Sequence, residues 1–428
     1  MEVSADIPPI IADYQREPLR PVPASDRIET LDILRGFALL GILLVNMGAF
    51  SWPNAYTLWQ RYFWDSRADA AVDWLVRLLA EGKFYPLFSF LFGLGAAIQM
   101  ERADCRGAPF SGRYCRRLLV LLAIGITHAL LIWDGDILVT YAVCGFLLLP
   151  FRKRQPKTVL IWSLVCLLIP ALLMILLWAL LAGLSLVPHT GTIIEKWFDN
   201  PYGSYEDQRE TIEEIIRVFS SGSYGEILRE RWRNVMNMWV VALFYVPEFL
   251  GLFLLGLYAG KRRIFRDIEG NKPLIRQVLL WGMVIGLPLN FFNAICMATT
   301  LANQHFLWLL SYSFAGISGP ALGLAYAAGL TMLLCSNQWH LWLRIIGPAG
   351  KMALSNYLFQ SLVCTTIFYS HGFGLFGAVG PAMRLVPTVL IFVGQVAFST
   401  WWLKRFQFGP MEWIWRSLTY GKRQPMRR

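Results

Sequence analysis

Polar and ionisable side chains set inside long apolar runs are costly to place, so each is a candidate for function. His128 is the one histidine well inside such a run, just over a helical turn before Trp133-Asp134-Gly135-Asp136. An imidazole buried beside a carboxylate is held in one tautomer and can act as a general base. On an ideal helix Asp134 does not share the face of His128. Contact with Asp134 or Asp136 therefore requires the chain to turn there, and Gly135 permits it. The competing reading is a histidine satisfied by a neighbouring helix.

The first apolar run opens Leu31-Asp32-Ile33-Leu34-Arg35-Gly36. Asp32 and Arg35 stand three apart on one helix face, and Asn46, eleven residues beyond Arg35, lies about three turns further along it. This stripe can bind an anionic group, or its charges can neutralise each other and dock the helix end. Tyr245-Val-Pro247-Glu248 sets a carboxylate beside a helix-distorting proline. Gly347-Pro-Ala-Gly350-Lys351 opens another run, which carries Ser355, Asn356 and Gln360. Lys351 and Ser355 share one face of it, Asn356 and Gln360 another. That polar ladder either lines a substrate path or bonds helices together. The Gly-Lys pair is no phosphate loop, because Met352 replaces the required Ser or Thr. Soluble-enzyme signatures are missing, and His189, His305, His340 and His371 lack metal-ligand spacing, so no metal is expected.

These residues need a scaffold. The chain has 428 residues, 56% hydrophobic and only 16% charged, against about a quarter charged in soluble domains. Apolar runs fall at 31–50, 84–100, 118–133, 137–151, 158–187, 235–260, 274–298, 306–335, 346–370 and 384–403. The expected fold is an all-α polytopic transmembrane helix bundle with about ten spans. Residues 68–82, with Val72, Leu75, Leu78 and Leu79 recurring between Asp73, Arg77 and Glu81, predict an interfacial amphipathic helix. The Trp-rich basic tail is amphipathic as well. The small residues of Gly93-Leu-Gly95-Ala-Ala97 suit close approach of a neighbouring helix.

The expected divisions are a polar N-terminal tail (1–26), an N-terminal membrane half (27–187), an extracytoplasmic helical segment (188–233), a C-terminal membrane half (234–404) and a basic tail (405–428). Net charge is +11, but the cations fall in short clusters between apolar runs, which suits anionic lipid and excludes a nucleic-acid stripe. Loops 102–117, 152–157 and 261–273 and the C-terminal tail are the basic ones. Assigning them to the cytoplasm puts both termini there, with the Asp134–Asp136 turn, the 188–233 segment and the His371 loop outside. The first 30 residues lack signal-peptide form, so the first run reads as an uncleaved span. None of the seven cysteines forms a CxxC pair, and they read as small buried hydrophobes.

Four motifs carry a resemblance. Arg27-Ile-Glu-Thr-Leu31-Asp32-Ile-Leu-Arg35-Gly36, continuing to Asn46, resembles the first span of the YeiB-like bacterial inner-membrane proteins. So do Thr127-His128 through Trp133-Asp134-Gly135-Asp136-Ile137-Leu138, Gly347 through Ser355-Asn356-Tyr357, and Phe408-Gly409-Pro410-Met411-Glu412-Trp413 through Gly421. The likeness covers nearly all the chain after residue 25 and implies a multi-pass protein of the bacterial inner membrane. More distantly, the first span is similar to transmembrane acyltransferases of the heparan-α-glucosaminide N-acetyltransferase and O-antigen acetyltransferase types. That resemblance implies transfer of an acyl group from a cytoplasmic acyl-CoA, such as acetyl-CoA, to an acceptor at or beyond the outer membrane face. Arg35 matches the first-span Arg of those families. O-antigen-type members carry His where this chain has Asn46; heparan-type members use a His between the first two core spans, where residues 47–100 contain none. The base would then be His128.

On this reading Arg35 and Lys351 attract the anionic part of the donor, and His128, supported by Asp134 or Asp136, deprotonates a small-molecule or glycan acceptor. The alternative is a transporter or flippase for a small metabolite or lipid-linked precursor, with Glu248 and the Ser355–Gln360 ladder along its path. A non-catalytic scaffold is the third. Membrane lipid is an expected partner, and self-association is open.

Overall fold

The computed structural model describes residues 28–107, 109–187, 205–299 and 305–428; the tail at 1–26 and residues 188–204, His189 among them, lie outside that set. The chain opens with α1 (Glu29–Ser51), a 3-10 stretch (Asn54–Tyr62), α2 (Arg67–Leu79), α3 (Phe84–Cys105), α4 (Ser111–Leu131), α5 (Leu138–Leu147) and α6 (Pro156–Ser185). It continues through α7 (Tyr205–Ser221), α8 (Tyr224–Lys261), α9 (Lys272–Thr299), α10 (His305–Leu334) and α11 (Asn337–Leu343). The last helices are α12 (Gly347–Lys351), α13 (Ala353–Phe368), α14 (Leu385–Arg405) and α15 (Pro410–Tyr420). Among the described residues the only strand-like pairing is one bridge between Phe406 and Arg427. The molecule is an all-α polytopic bundle.

Among the described residues seven helices are long and apolar enough to cross a membrane, not ten: α1, α4, α6, α8, α9, α10 and α14. The three expected spans that fall short do so for physical reasons. α5 has 10 residues, and at 1.5 Å per residue it covers about half of a ~30 Å hydrocarbon core. The run at 346–370 is broken at Met352 (φ −108°, ψ 35°) into a 5-residue turn and a 16-residue helix. α3 is long enough at 22 residues, but Gln99, Glu101, Arg102 and Asp104 crowd its last turns.

α1 runs through the middle of the bundle and packs on α3, α12, α13 and α14. Its Ile33, Leu34, Ala38, Leu39 and Leu43 are fully enclosed. α6 lies at the periphery and turns Leu172, Leu173, Leu176 and Leu180 outward, as an apolar helix facing lipid does. The small residues of α3 serve the predicted purpose. A Cβ on Gly93 would lie 2.0 Å from the Phe253 carbonyl oxygen, and one on Gly256 would lie 2.0 Å from that of Phe90. α3 and α8 therefore cross backbone to backbone, which only glycine at the crossing allows.

α2 is amphipathic as predicted. Ser66 caps it by accepting the Asp69 N–H at 3.1 Å, and Trp74 packs edge-on against Phe291 of α9. The segment at 205–233 holds α7 and then the first turns of α8, which continue without a break into the apolar part of that 38-residue helix. Ser223 and Glu226 form a capping box at its start.

Candidate functional site

α4 ends at Leu131, and the His128 carbonyl accepts the N–H groups of both Ile132 and Trp133 as the helix closes. The chain then turns through Asp134-Gly135 and returns as α5. This reversal folds Asp136 back onto α4. The His128 Nδ1 and Asp136 Oδ2 atoms lie 2.7 Å apart, and both side chains are about 1% exposed. The second oxygen of Asp136 accepts the Val139 N–H at 2.9 Å, so the carboxylate also caps α5. With the carboxylate at Nδ1, the imidazole proton belongs on Nδ1, leaving Nε2 as the basic nitrogen. Nε2 is buried and has no hydrogen-bond partner among the described residues. Of the two candidate carboxylates, only Asp136 reaches His128. Asp134 points to the other side, where it accepts from Asn234 Nδ2 at 2.9 Å. Burial raises the Asp134 carboxyl above the usual carboxylate range, against the pull of Asn234 and of nearby Arg231.

Tyr357 closes the dyad on one side. Its ring centre is 5.3 Å from that of His128, and its hydroxyl is 3.4 Å from the Ile137 N–H and 3.5 Å from the Gly135 carbonyl. Beyond Tyr357 lies a cavity of about 320 Å³ between α1, α3, α4, α5, α13 and α15. Its inner wall is Leu39, Ile42, Ile137, Leu138, Tyr141 and Tyr357; its outer part carries Arg35, Arg102, Arg117, Arg266 and Arg416 with Asp32 and Glu412. The cavity is thus graded, cationic at one end and apolar at the end that abuts the dyad. On the other side His128 borders an apolar groove between α4, α13 and α15.

The cationic end is built by contacts far apart in sequence. The Arg117 guanidinium lies over the Trp415 ring at 3.8 Å, and the Trp415 indole N–H donates to the Arg117 carbonyl at 2.8 Å. Arg35 pairs with Asp32 at 3.1 Å, and the second Asp32 oxygen is buried without a partner among the described residues. Glu412 accepts the N–H groups of Leu354 (2.7 Å) and Ser355 (3.1 Å) and also takes the Ser355 hydroxyl hydrogen. This satisfies the N-terminus that the break at Met352 exposes and sets a negative charge on the positive end of the α13 dipole. Burial nevertheless raises the Glu412 carboxyl above its ordinary value.

The remaining candidate residues occupy other places. Ser355 is held by Glu412. Asn356 donates to the Ala349 carbonyl and the Ser399 hydroxyl, both at 3.0 Å. Gln360 donates to Gln395 at 2.9 Å, and Gln395 donates to the Asn356 carbonyl at 2.8 Å. The polar ladder therefore bonds α13 to α14. Glu248 accepts the Tyr85 hydroxyl at 2.6 Å inside the α3–α8 contact. Lys351 is exposed and lines a neighbouring groove with Glu29, Asp32 and Arg344. Asn46 lines a second cavity at the far end of α1. Residues that sequence reasoning did not single out are Tyr357, Arg117, Trp415 and Glu412. For Tyr357, Glu412 and Trp415 a signal existed, since they lie in the Gly347–Tyr357 and Phe408–Gly421 motifs.

The family described as Protein of unknown function (DUF418) matches residues 259–422. Over its whole length the chain is similar to "Uncharacterized protein YxaH" of Bacillus subtilis (strain 168), 35% identical over 95% of this chain and 98% of that one. It is 29% identical to "Uncharacterized 39.9 kDa protein in amylase 3'region" of Bacillus acidopullulyticus, over 95% and 97% of the two chains. It is also 28% identical to "Uncharacterized protein YeiB" of Escherichia coli (strain K12), over 92% and 96%. With full-length relatives on one side and a matching C-terminal region on the other, the chain belongs to the YeiB-like (DUF418) family.

Proposed function

We propose that this protein is a membrane acyltransferase, taking an acyl group from an acyl-CoA-type donor and passing it to a hydroxyl or amine acceptor. The observation that carries the reading is the buried His128–Asp136 dyad, whose Nε2 has no hydrogen-bond partner among the described residues, with Tyr357 between it and the apolar end of a cavity whose other end holds five arginines. An anionic donor with an acyl terminus has that same gradation. Its phosphates suit the guanidinium groups of Arg35, Arg117 and Arg416, and its thioester lies toward Tyr141 and Tyr357. His128 Nε2 takes the proton from the acceptor as the acceptor oxygen or nitrogen attacks the thioester carbonyl. The carbon–sulfur bond breaks, and the leaving thiolate recovers that proton from the imidazolium. Asp136 keeps the imidazole in the tautomer this requires and stabilises its charged form. The basic loops 102–117 and 261–273 support a cytoplasmic location for the arginine end of the cavity, in a bacterial inner membrane. The ladder residues that a transport path would use are committed to bonds between helices, so the enzyme reading is preferred.

The test is acyl-CoA binding by calorimetry and transfer of radiolabelled acetyl in membranes containing the full chain. The expected result is saturable binding that weakens in Arg117→Gln, and transfer that is lost in His128→Ala with binding retained. Absence of binding for every acyl-CoA tried, or undiminished transfer in His128→Ala, refutes the proposal.

A further inference from the structure

A second cavity, of about 280 Å³, lies at the opposite end of α1 from the arginine-rich one and shares no wall residue with it. The volume sits at the lower edge of the roughly 300–1,000 Å³ typical of small-molecule sites. Its wall is formed by α1, the 3-10 stretch, α2, the start of α14 and the turn at Trp133 and Gly135. Gly135 directly precedes Asp136 of the dyad, so the two cavities flank the same turn.

Most of the polar groups in this wall are already matched. Arg77 pairs with Asp73 at 2.8 Å and with Glu81 at 3.9 Å. Asp73 also accepts from Gln60 at 2.9 Å, and Gln60 accepts from Arg384 Nη1 at 2.9 Å. Arg384 and Asn46 are not fully matched among the described residues, and neither are the side chains of Asn54 and Thr57. Arg384 is 6% exposed, and its Nη2 has no hydrogen-bond partner; no carboxylate pairs with it among the described residues. Its other nitrogens are fixed, Nε by the Val379 carbonyl at 3.0 Å, and the guanidinium lies over the Trp64 ring at 5.2 Å. The Asn46 amide lines the same cavity and likewise lacks a partner among the described residues. In front of Arg384 stands Gly48, where an added Cβ would meet only Arg384 Nη1, at 3.9 Å. A clamped, buried cation with an unused donor, next to an unused amide and a position without a side chain, is a prepared half of an ion pair.

We infer that this second cavity binds a small, hydroxylated molecule through one anionic oxygen group, carboxylate or phosphate, placed on Arg384 with Asn46 beside it. Resting on the function proposed above, this molecule is the acyl acceptor, and its hydroxyl lies on the Gly135 side of the cavity. The negative group is what selects it.

The test uses the full chain in detergent with three probes that share one backbone: glycerate, glycerol 3-phosphate and uncharged glycerol. Affinity is read by calorimetry and by the rise in thermal midpoint. At least one anionic probe is expected to bind and glycerol is not; which anion binds distinguishes carboxylate from phosphate. Arg384→Gln is expected to weaken that binding about 10- to 100-fold, as loss of one buried charge-assisted hydrogen bond does. Gly48→Leu fills the space before the guanidinium and leaves the bonds of Arg384 intact, so it reads the same site if Arg384→Gln does not fold. Acyl-CoA binding, measured in the same preparations, is expected to be unchanged in both variants. Equal behaviour of all three probes, or affinity within twofold of wild type in folded Gly48→Leu, overturns the inference. Anion binding here without acyl-CoA binding in the first cavity leaves the site standing and refutes the acyl-transfer reading.

Discussion

Replacing Asp136 with Asn separates the geometry of the dyad from its electrostatics. Asp136 has two neighbours with fixed roles. The Val139 N–H donates to one oxygen at 2.9 Å, and His128 Nδ1 lies 2.7 Å from the other. In Asp136→Asn the amide oxygen must stay on the Val139 N–H, because the opposite orientation sets two donors against each other at the start of α5. The amide NH2 then faces Nδ1, which has to accept, and the imidazole proton moves to Nε2. The basic nitrogen is lost although no side chain changes size. In a dyad of this form the wrong tautomer costs about 10⁴ in rate, or about 5.5 kcal/mol of barrier at 1.36 kcal/mol per tenfold. Stability changes less, by roughly 1.5–3 kcal/mol, the range for one charge-assisted hydrogen bond. The chain contains five histidines, so ¹⁵N-histidine NMR in detergent can assign the His128 tautomer by comparison with His128→Ala. Acetyl transfer in membranes reads the rate. A proton on Nδ1 in the variant, or transfer within tenfold of wild type, refutes the reasoning.

Three further outcomes follow from the packing. Glu412→Ala removes the acceptor for two backbone N–H groups at the start of α13; it should lower unfolding stability by about 1.5–3 kcal/mol, and chemical denaturation in mild detergent measures this. Gly93→Ala places a methyl 2.0 Å from the Phe253 carbonyl oxygen and should cost about 3 kcal/mol or more, because backbone on both sides must separate; loss of monodisperse protein on gel filtration is the simple readout. Lys83 is 2% exposed and donates to the Arg77 carbonyl at 2.7 Å, and burial lowers its pKa from 10.5 to about 8. The folded chain therefore holds fewer protons than the unfolded one between those values, so this group makes stability rise with pH from about 8 toward 10.5. Thermal midpoints measured across that window should rise in the wild type and flatten in Lys83→Met.

What the sequence disclosed depended on whether a signal was local. The small-residue run near Gly93 and the amphipathic pattern near Leu75 are properties of one helix, and both describe their elements correctly. The His128–Asp136 contact spans eight residues, and Gly135 marked the turn that makes it. That Asp136 and not Asp134 is the partner depends on the direction of α5, which spacing does not contain. The span count failed for a related reason. Hydropathy sees an apolar run at 346–370, but the break at Met352 is made tolerable by Glu412, 60 positions away in the chain. Tyr357 meets the 135–137 backbone across more than 200 residues, a contact that its place in the Gly347–Tyr357 motif does not disclose. Arg231 is the extreme case. It lies in a run of alternating charge that suggests a solvated face, yet it is fully enclosed, with Nη1 directed at the Leu130 carbonyl that ends α4.

The position of α1 links these observations into one arrangement. Asp32 and Arg35 stand at its start, in the wall of the first cavity, and Asn46 stands in the wall of the second. Eleven residues of helix separate Arg35 from Asn46, about 16 Å, and between them α1 presents Leu39 and Ile42 to the first cavity. In the proposed transfer a charged donor group would stop at the arginine end, because moving further would bury its charge against aliphatic side chains. An acyl chain meets no such barrier and can continue to Tyr357. Besides α1 itself, the turn at Trp133–Ile137 is approached by both cavities, through Gly135 on one side and Ile137 on the other. Asp136 lies between those two residues and holds His128. In the proposed transfer the base is therefore held at a turn that both cavities reach, by the residue at its centre.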